Sequence, residues 1–176
     1  MQLLKGVFAH IADLKAKNPL VAYIQYPKVP PSLTESLAIY LLQTGVIKGL
    51  GQCQFRFGGN EADIIGMNTR TRFRIEVKGT TKGFEYFGEK DVKSDYLMWF
   101  DLAELLKGNG NDHLRLYVIS HPSDHFDKPV KIVISRLKQI ARNDVSSFDY
   151  GLSALLNHLA STQTPQSGEM KLQNWT

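Results

Sequence analysis

Polar and apolar residues alternate with a period of two in FRIEV, where Phe73, Ile75 and Val77 stand between Arg72, Arg74, Glu76 and Lys78. EADII repeats the pattern, with Ala62 and Ile64 on one side and Glu61, Asp63 and Ile65 on the other. Strands with one buried face read this way. Asn68, Thr69, Arg70 and Thr71 between them are turn-tolerant, which predicts a hairpin. QCQFRFGG alternates in the same manner and predicts the strand before it, and HLRLYVIS and PVKIVIS predict two more strands.

Other segments carry a helical period. In QLLKGVFAHIADLKAK the residues Leu3, Leu4, Val7, Phe8, Ile11 and Leu14 share a face, and Asn18-Pro19 ends the helix. VAYIQY is a short strand or an extended arm, closed by PKVPP. SLTESLAIYLLQTGVIKG predicts a helix with Ser32 as N-cap, Pro31 just before it and Gly45 near its end. EKDVKSDYLMWFDLAELLKGNG sets Val92, Tyr96, Phe100, Ala103 and Leu106 on one helical stripe and stops at Gly108. RLKQIARN and DYGLSALLNHLA read as closing helices, and STQTPQSGEMKLQNWT is a polar tail.

The resulting order of helix, three strands, helix and strand predicts an α/β or α+β layer, with helices flanking a central mixed β-sheet. At 176 residues the chain suits a single domain. Its core spans about 32–120, after an N-terminal helix and arm over 1–31 and before C-terminal strand, helices and tail over 121–176. No stretch approaches 18 apolar residues and the first thirty lack a signal-peptide pattern, so the expectation is a cytoplasmic protein with no membrane partner.

Charge adds a local signal. Net charge is +4 with pI near 9.1, which permits a polyanionic partner without demanding one. From Arg70 to Lys93 seven basic residues stand against four acidic ones, a density that suits phosphate contacts and equally suits a solvated face. Arg70, Lys82 and Lys90 are the candidates for touching a nucleic acid, and Phe84, Tyr86 and Phe87 interleave with the last two.

Register decides what the hairpin carboxylates can do. With a loop of two or four residues centred between Thr69 and Arg70, Asp63 faces Glu76 and Glu61 faces Lys78. Opposed side chains share a face with Cβ atoms about 4.5–5.5 Å apart, so two carboxylates there repel unless a positive charge lies between them. A divalent cation meets that need, because hard ions such as Mg²⁺ are held by one or two carboxylates with water and phosphate oxygens completing the shell. An odd-length loop would instead set Asp63 and Glu76 on opposite faces and remove the site.

An acid on one strand, then Glu76-Val77-Lys78 on the next, after a helix, resembles the PD-(D/E)XK nuclease superfamily. Three other acid-x-Lys triplets, at Asp13, Asp91 and Glu169, fall in predicted helices or the tail, and Ala62 stands where proline often precedes the first acid. The resemblance covers roughly 32–120 and implies a restriction-endonuclease-like core that hydrolyses DNA phosphodiesters. It implies Mg²⁺, with Mn²⁺ as a substitute, held by Asp63, Glu76 and the Val77 backbone carbonyl. Lys78 would orient or deprotonate the attacking water and stabilise charge on the phosphate, with Glu61 pairing with Lys78 or adding a ligand. Glu35 matches a glutamate that many members carry on the preceding helix; it also fits a capping box with Ser32, and both readings stand.

The implied activity is that of a small restriction endonuclease acting as a homodimer, since one site cuts one strand and a C2 dimer matches a palindromic target. A structure-specific nuclease resembling junction resolvases is the alternative, and a non-catalytic DNA-binding module or an unrelated binding protein are others. Remaining residues read as structural. Cys53 alternates with Phe55 and Phe57 as a buried strand thiol, Trp99 is core, and the proline in His121-Pro122-Ser123-Asp124-His125 argues for a loop over a zinc pair. His10, His113 and His158 have no partner motif.

Overall fold

A computed structural model describes residues 2–19, 26–45, 47, 50, 53–106, 113–140, 144–151 and 154. Helix α1 covers Gln2–Lys17 and α2 covers Pro31–Gln43. Strands β1 (Gln54–Phe57), β2 (Ile64–Met67) and β3 (Arg72–Thr80) follow, then β4 (Phe84–Phe87) and the single turn α3 (Glu89–Val92). Next come β5 (Tyr96–Asp101), the short α4 (Ala103–Leu106), β6 (His113–Ser120), β7 (Val130–Val133), α5 (Ile134–Ile140) and β8 (Val145–Gly151).

The fold is α+β. Six strands form one sheet in the order β1-β2-β3-β5-β6-β8, mixed because β3 and β5 run parallel while every other pair is antiparallel. A crossover through β4 and α3 makes the parallel join, and β4 pairs with β7 in a separate two-stranded ribbon. Helices flank the sheet on both faces. On one face α2 packs against β1 and β3, and Ala38, Leu41 and Leu42 meet Ile64, Ile75, Val77, Met98 and Phe100. On the other, Leu97, Trp99, Tyr117 and Ile119 meet Phe87 from β4, Val92 from α3, Ile132 from β7 and Leu137 from α5. No helix among the described residues is long and apolar enough to cross a membrane.

The hairpin forms with the expected register, Ile64 opposite Ile75 and Met67 opposite Arg72. Its four-residue loop is closed by the Asn68 N–H donating to the Thr71 carbonyl at 3.0 Å, and Asn68 Oδ1 accepts the amides of Arg70 and Thr71. Phe73 lies across the bare backbone of Gly66, where any Cβ would sit 2.1 Å from the ring.

Three expectations are corrected. The stretch 89–110 is not one helix: Tyr96–Asp101 is the strand at the centre of the sheet, between two one-turn helices. Met98 and Phe100 enter the first core while Leu97 and Trp99 enter the second. A strand buried on both faces shows a continuous apolar run, which periodicity alone does not separate from a buried helix. DYG, expected to open a closing helix, instead ends β8, whose Phe148 and Tyr150 alternate inward against the first core. PVKIVIS gives a strand only to Val133, because α5 begins at Ile134 rather than Arg136.

Helix α2 also starts two residues early. Pro31 takes its first position, where a missing N–H and a fixed φ suit it, so Ser32 lies inside the first turn and makes no capping bond. The strand expected at VAYIQY lies almost wholly outside the described residues, as do Gly108, His158 and the tail. Cys53 is half-buried just ahead of β1, and Trp99 is fully buried as expected.

Candidate active site

Strand β2 begins at Ile64, but β3 runs on to Thr80, so among the described residues the last part of β3 has no strand beside it on that edge. The Val77 N–H, left without a ladder partner, donates to Asp63 Oδ2 at 2.7 Å. Asp63 is itself fixed by the Gly58 N–H, which donates to its carbonyl at 3.1 Å. Continuing the register one step past Ile64 sets Asp63 opposite Glu76. N–H and C=O of one strand residue point to the same side, so the Val77 carbonyl faces this free edge too.

Glu35 arrives from α2. The helix approaches β3 at Gly79, where a Cβ would lie 2.6 Å from Thr34 Cγ2, so only glycine admits the first turn this closely. With Ser32 unavailable as a cap, the Glu35 carboxylate turns to a cleft of about 490 Å³ at the edge of β3. Asp63, Val77 and Lys78 line the same cleft. Its outer walls are the arm residues Lys28 and Val29 and the loop that bears Thr81, Lys82, Phe84 and Glu85. Thr80 holds that loop in place, donating from Oγ1 to the Phe84 carbonyl at 2.7 Å and accepting the Lys82 N–H at 3.2 Å.

Glu76 lies behind this surface, 5 % exposed and outside the lining of the cleft. Burial, then the charges of Asp63 and Asp91, push its carboxyl up to about 7 against the pull of Lys78 and Lys90. Burial and Asp63 raise Glu35 as well. Lys78 Nζ lies 3.0 Å from Asp91 Oδ1. Burial lowers the lysine pKa, but Asp91, by charge and hydrogen bond, followed by Asp63 and Glu76, outweighs that and holds it above the ordinary lysine value.

The expected partner of Lys78 was Glu61, and the structure corrects this. The chain turns at Gly59, with φ of +62°, before β2 begins, so strand register does not extend back to Glu61. Glu61 is exposed and bonded to Arg72, and it does not pair with Lys78. Arg70 sits in the hairpin loop at the opposite end of β2 from Asp63, five or more residues along the strands and so roughly 15 Å or more away. Lys82 lines the cleft, whereas Lys90 donates to the Asn60 carbonyl at 2.9 Å. His121-Pro122-Ser123-Asp124-His125 forms a 3₁₀ turn over Pro122–Asp124, entered through His121 at φ of 46°, and His125 Nε2 lies 3.2 Å from Asp144 Oδ2.

Sequence reasoning missed two residues. Lys28 sits between prolines with no motif to flag it, and Asp91 was read as a helical acid because β5 was taken for part of the same helix. Contact across the crossover is the signal that finds Asp91, and no local pattern carries it.

Among the described residues no three His, Cys, Asp or Glu side chains stand close enough together to hold a metal between them. The donors at the free edge are two carboxylates in repulsive contact, a main-chain carbonyl and Glu35. These are hard oxygen atoms, the set that suits Mg²⁺ with water completing its shell. Asp63 Oδ1 accepts no hydrogen bond among the described residues, so one oxygen is open to a cation. Compared with protein-family models and with curated proteins, the chain matches none.

Proposed function

We propose that this protein is a metal-dependent endonuclease that hydrolyses DNA phosphodiester bonds, with the site organisation of the PD-(D/E)XK superfamily. The observation that carries the reading is the free edge of β3. There Glu35, Asp63, Val77 and Lys78, from three elements far apart in sequence, line one cleft, with the buried Glu76 directly behind.

Asp63, Glu76 and the Val77 carbonyl would hold Mg²⁺, with Mn²⁺ as a substitute and Glu35 reaching the ion through one of its waters. Bound there, the ion supplies Lewis-acid polarisation of the phosphoryl group and an acidified water. The chain's own groups do the rest. Glu76 and Asp63 bring negative charge that favours a cation, as the raised Glu76 pKa registers. Lys78, kept protonated by Asp91, donates hydrogen bonds to phosphate oxygens and stabilises the charge that grows there. Lys28 and Lys82, both in the lining of the cleft, are exposed and supply positive charge for neighbouring phosphates.

The reading includes a cytoplasmic protein that acts on duplex DNA as a homodimer, of the small restriction endonuclease kind, because each chain brings one cleft and a duplex has two strands. The decisive test is incubation with plasmid DNA and Mg²⁺, beside Asp63→Ala and a chelator control. Discrete fragments lost in both controls are expected. Intact plasmid, followed by an intact synthetic four-way junction, would leave a DNA-binding module as the better description.

A further inference from the structure

We propose that Asp91 is the positioning residue for Lys78: a buried carboxylate, delivered by the crossover, that fixes the lysine ammonium at the floor of the cleft. This rests on the nuclease reading, in which Lys78 meets the phosphate.

Asp91 is 2 % exposed and lies outside the cleft lining, so it does not meet substrate. Its Oδ2 accepts the Gly88 N–H at 2.6 Å, and its carbonyl accepts Ser94 Oγ at 2.7 Å, which pins both ends of the α3 turn. Next to it, Val92 is packed in the second core. The carboxylate is thus anchored by backbone and core before Lys78 arrives. The Lys78 ammonium at 3.0 Å is the ion-pair partner of Oδ1.

Burial makes the pairing obligatory. A carboxylate removed from water needs a charged partner, and removing that partner is far worse than never having had the pair. Lysine gains in turn. Its four-carbon stem has many rotamers open to it, so an ammonium at a cleft wall wanders unless something holds it. An ammonium has three donors; one is spent on Asp91, leaving two to point into the cleft. The lysine side chain is 30 % exposed, enough to meet a ligand from the open side while held from behind.

A purely structural ion pair would look the same at rest, so the test separates the two. In the full-length protein, Asp91→Asn keeps the bond from Gly88 and removes the charge. At a temperature where both proteins are folded, kcat for cleavage of a DNA substrate should fall about 10- to 100-fold with KM within twofold, the signature of lost orientation. Asp91→Glu keeps the charge one methylene further out and should lose a smaller part of kcat, which serves if the asparagine variant does not fold.

A second arm needs no cleavage. Urea midpoints are compared for wild type, Asp91→Asn, Lys78→Met and the double variant. If Asp91 holds Lys78, the double variant unfolds at a midpoint well above that obtained by adding the single losses. Additive midpoints overturn the contact, and coupled midpoints with unchanged kcat overturn its role in positioning. Wild-type protein that cuts no DNA under any metal condition refutes the nuclease reading and the catalytic role with it, while coupled midpoints would still leave the contact standing.

Discussion

Replacing Glu76 with glutamine should make this protein more stable, although it removes a residue from the candidate active site. The carboxyl is 5 % exposed and its pKa is raised from 4.5 to about 7 by burial and by Asp63 and Asp91. A raised carboxyl pKa means that the folded state holds the proton more tightly than the unfolded chain does. Stability from that proton is fully present below 4.5 and is lost as pH rises through 7. Two and a half pKa units correspond to about 3 kcal/mol, at 1.36 kcal/mol each, so at pH 8 the ionised glutamate costs about that much. Glutamine carries no charge to bury. In a domain of 176 residues each kcal/mol moves the melting temperature by about 2–4 °C, so Glu76→Gln should melt about 6–12 °C above wild type at pH 8 in EDTA. The gap should shrink to about 1 kcal/mol at pH 5 and close near pH 4. Thermal melts followed by circular dichroism across that range measure it. Adding Mg²⁺ at pH 8 should raise the wild-type midpoint more than the variant's, because the wild type adds the Glu76 charge to those of Asp63 and Glu35. A variant with a native spectrum that melts at or below wild type at pH 8 would refute the reasoning, since Glu76 would then be ionised at no cost.

Two further outcomes follow from the cleft. Gly79→Ala forces a methyl to within 2.6 Å of Thr34 Cγ2, so α2 must move; overpacking of this kind costs about 1–3 kcal/mol, and cleavage should fall by more than the folded fraction because Glu35 moves with the helix. Calorimetry and a plasmid assay on the same preparation separate the two losses. Lys28→Ala should weaken DNA binding in Ca²⁺ and reduce the slope of log affinity against log salt by about 1, as for one lost phosphate contact. Fluorescence anisotropy over a salt series reads the slope, and an unchanged slope removes Lys28 from the interface.

Local order was legible wherever one strand face is buried and the other is wet. The hairpin from Asp63 to Lys78 shows this, because slipping Ile64 and Ile75 by one residue would put both into water. That single constraint also fixed Asp63 against Glu76, the heart of the candidate site. β5 was illegible for the opposite reason: with Leu97, Met98, Trp99 and Phe100 all at 0 % exposure, it has no wet face to reveal its period. The error spread to Asp91, whose role depends on the crossover folding back over β3. Ser32 and Glu35 formed a plausible capping box in sequence, yet Pro31 moved the helix start and freed the glutamate for the cleft. Glu61 failed because the pairing stops at Ile64 and the turn at Gly59 carries it elsewhere.

On the nuclease reading, the parallel join between β3 and β5 bears on when the proposed activity can arise. Glu35, Asp63 and Lys78 come together only after the hairpin has formed and α2 has docked at Gly79. Lys78 gains its buried partner only once the intervening crossover has closed, a non-local event that is intrinsically slow. A growing or partly unfolded chain therefore carries scattered acids and lysines with no assembled centre. On the nuclease reading, cleavage should appear only with the last tertiary contact to form and be lost with the first to break, which would confine the activity to completed molecules.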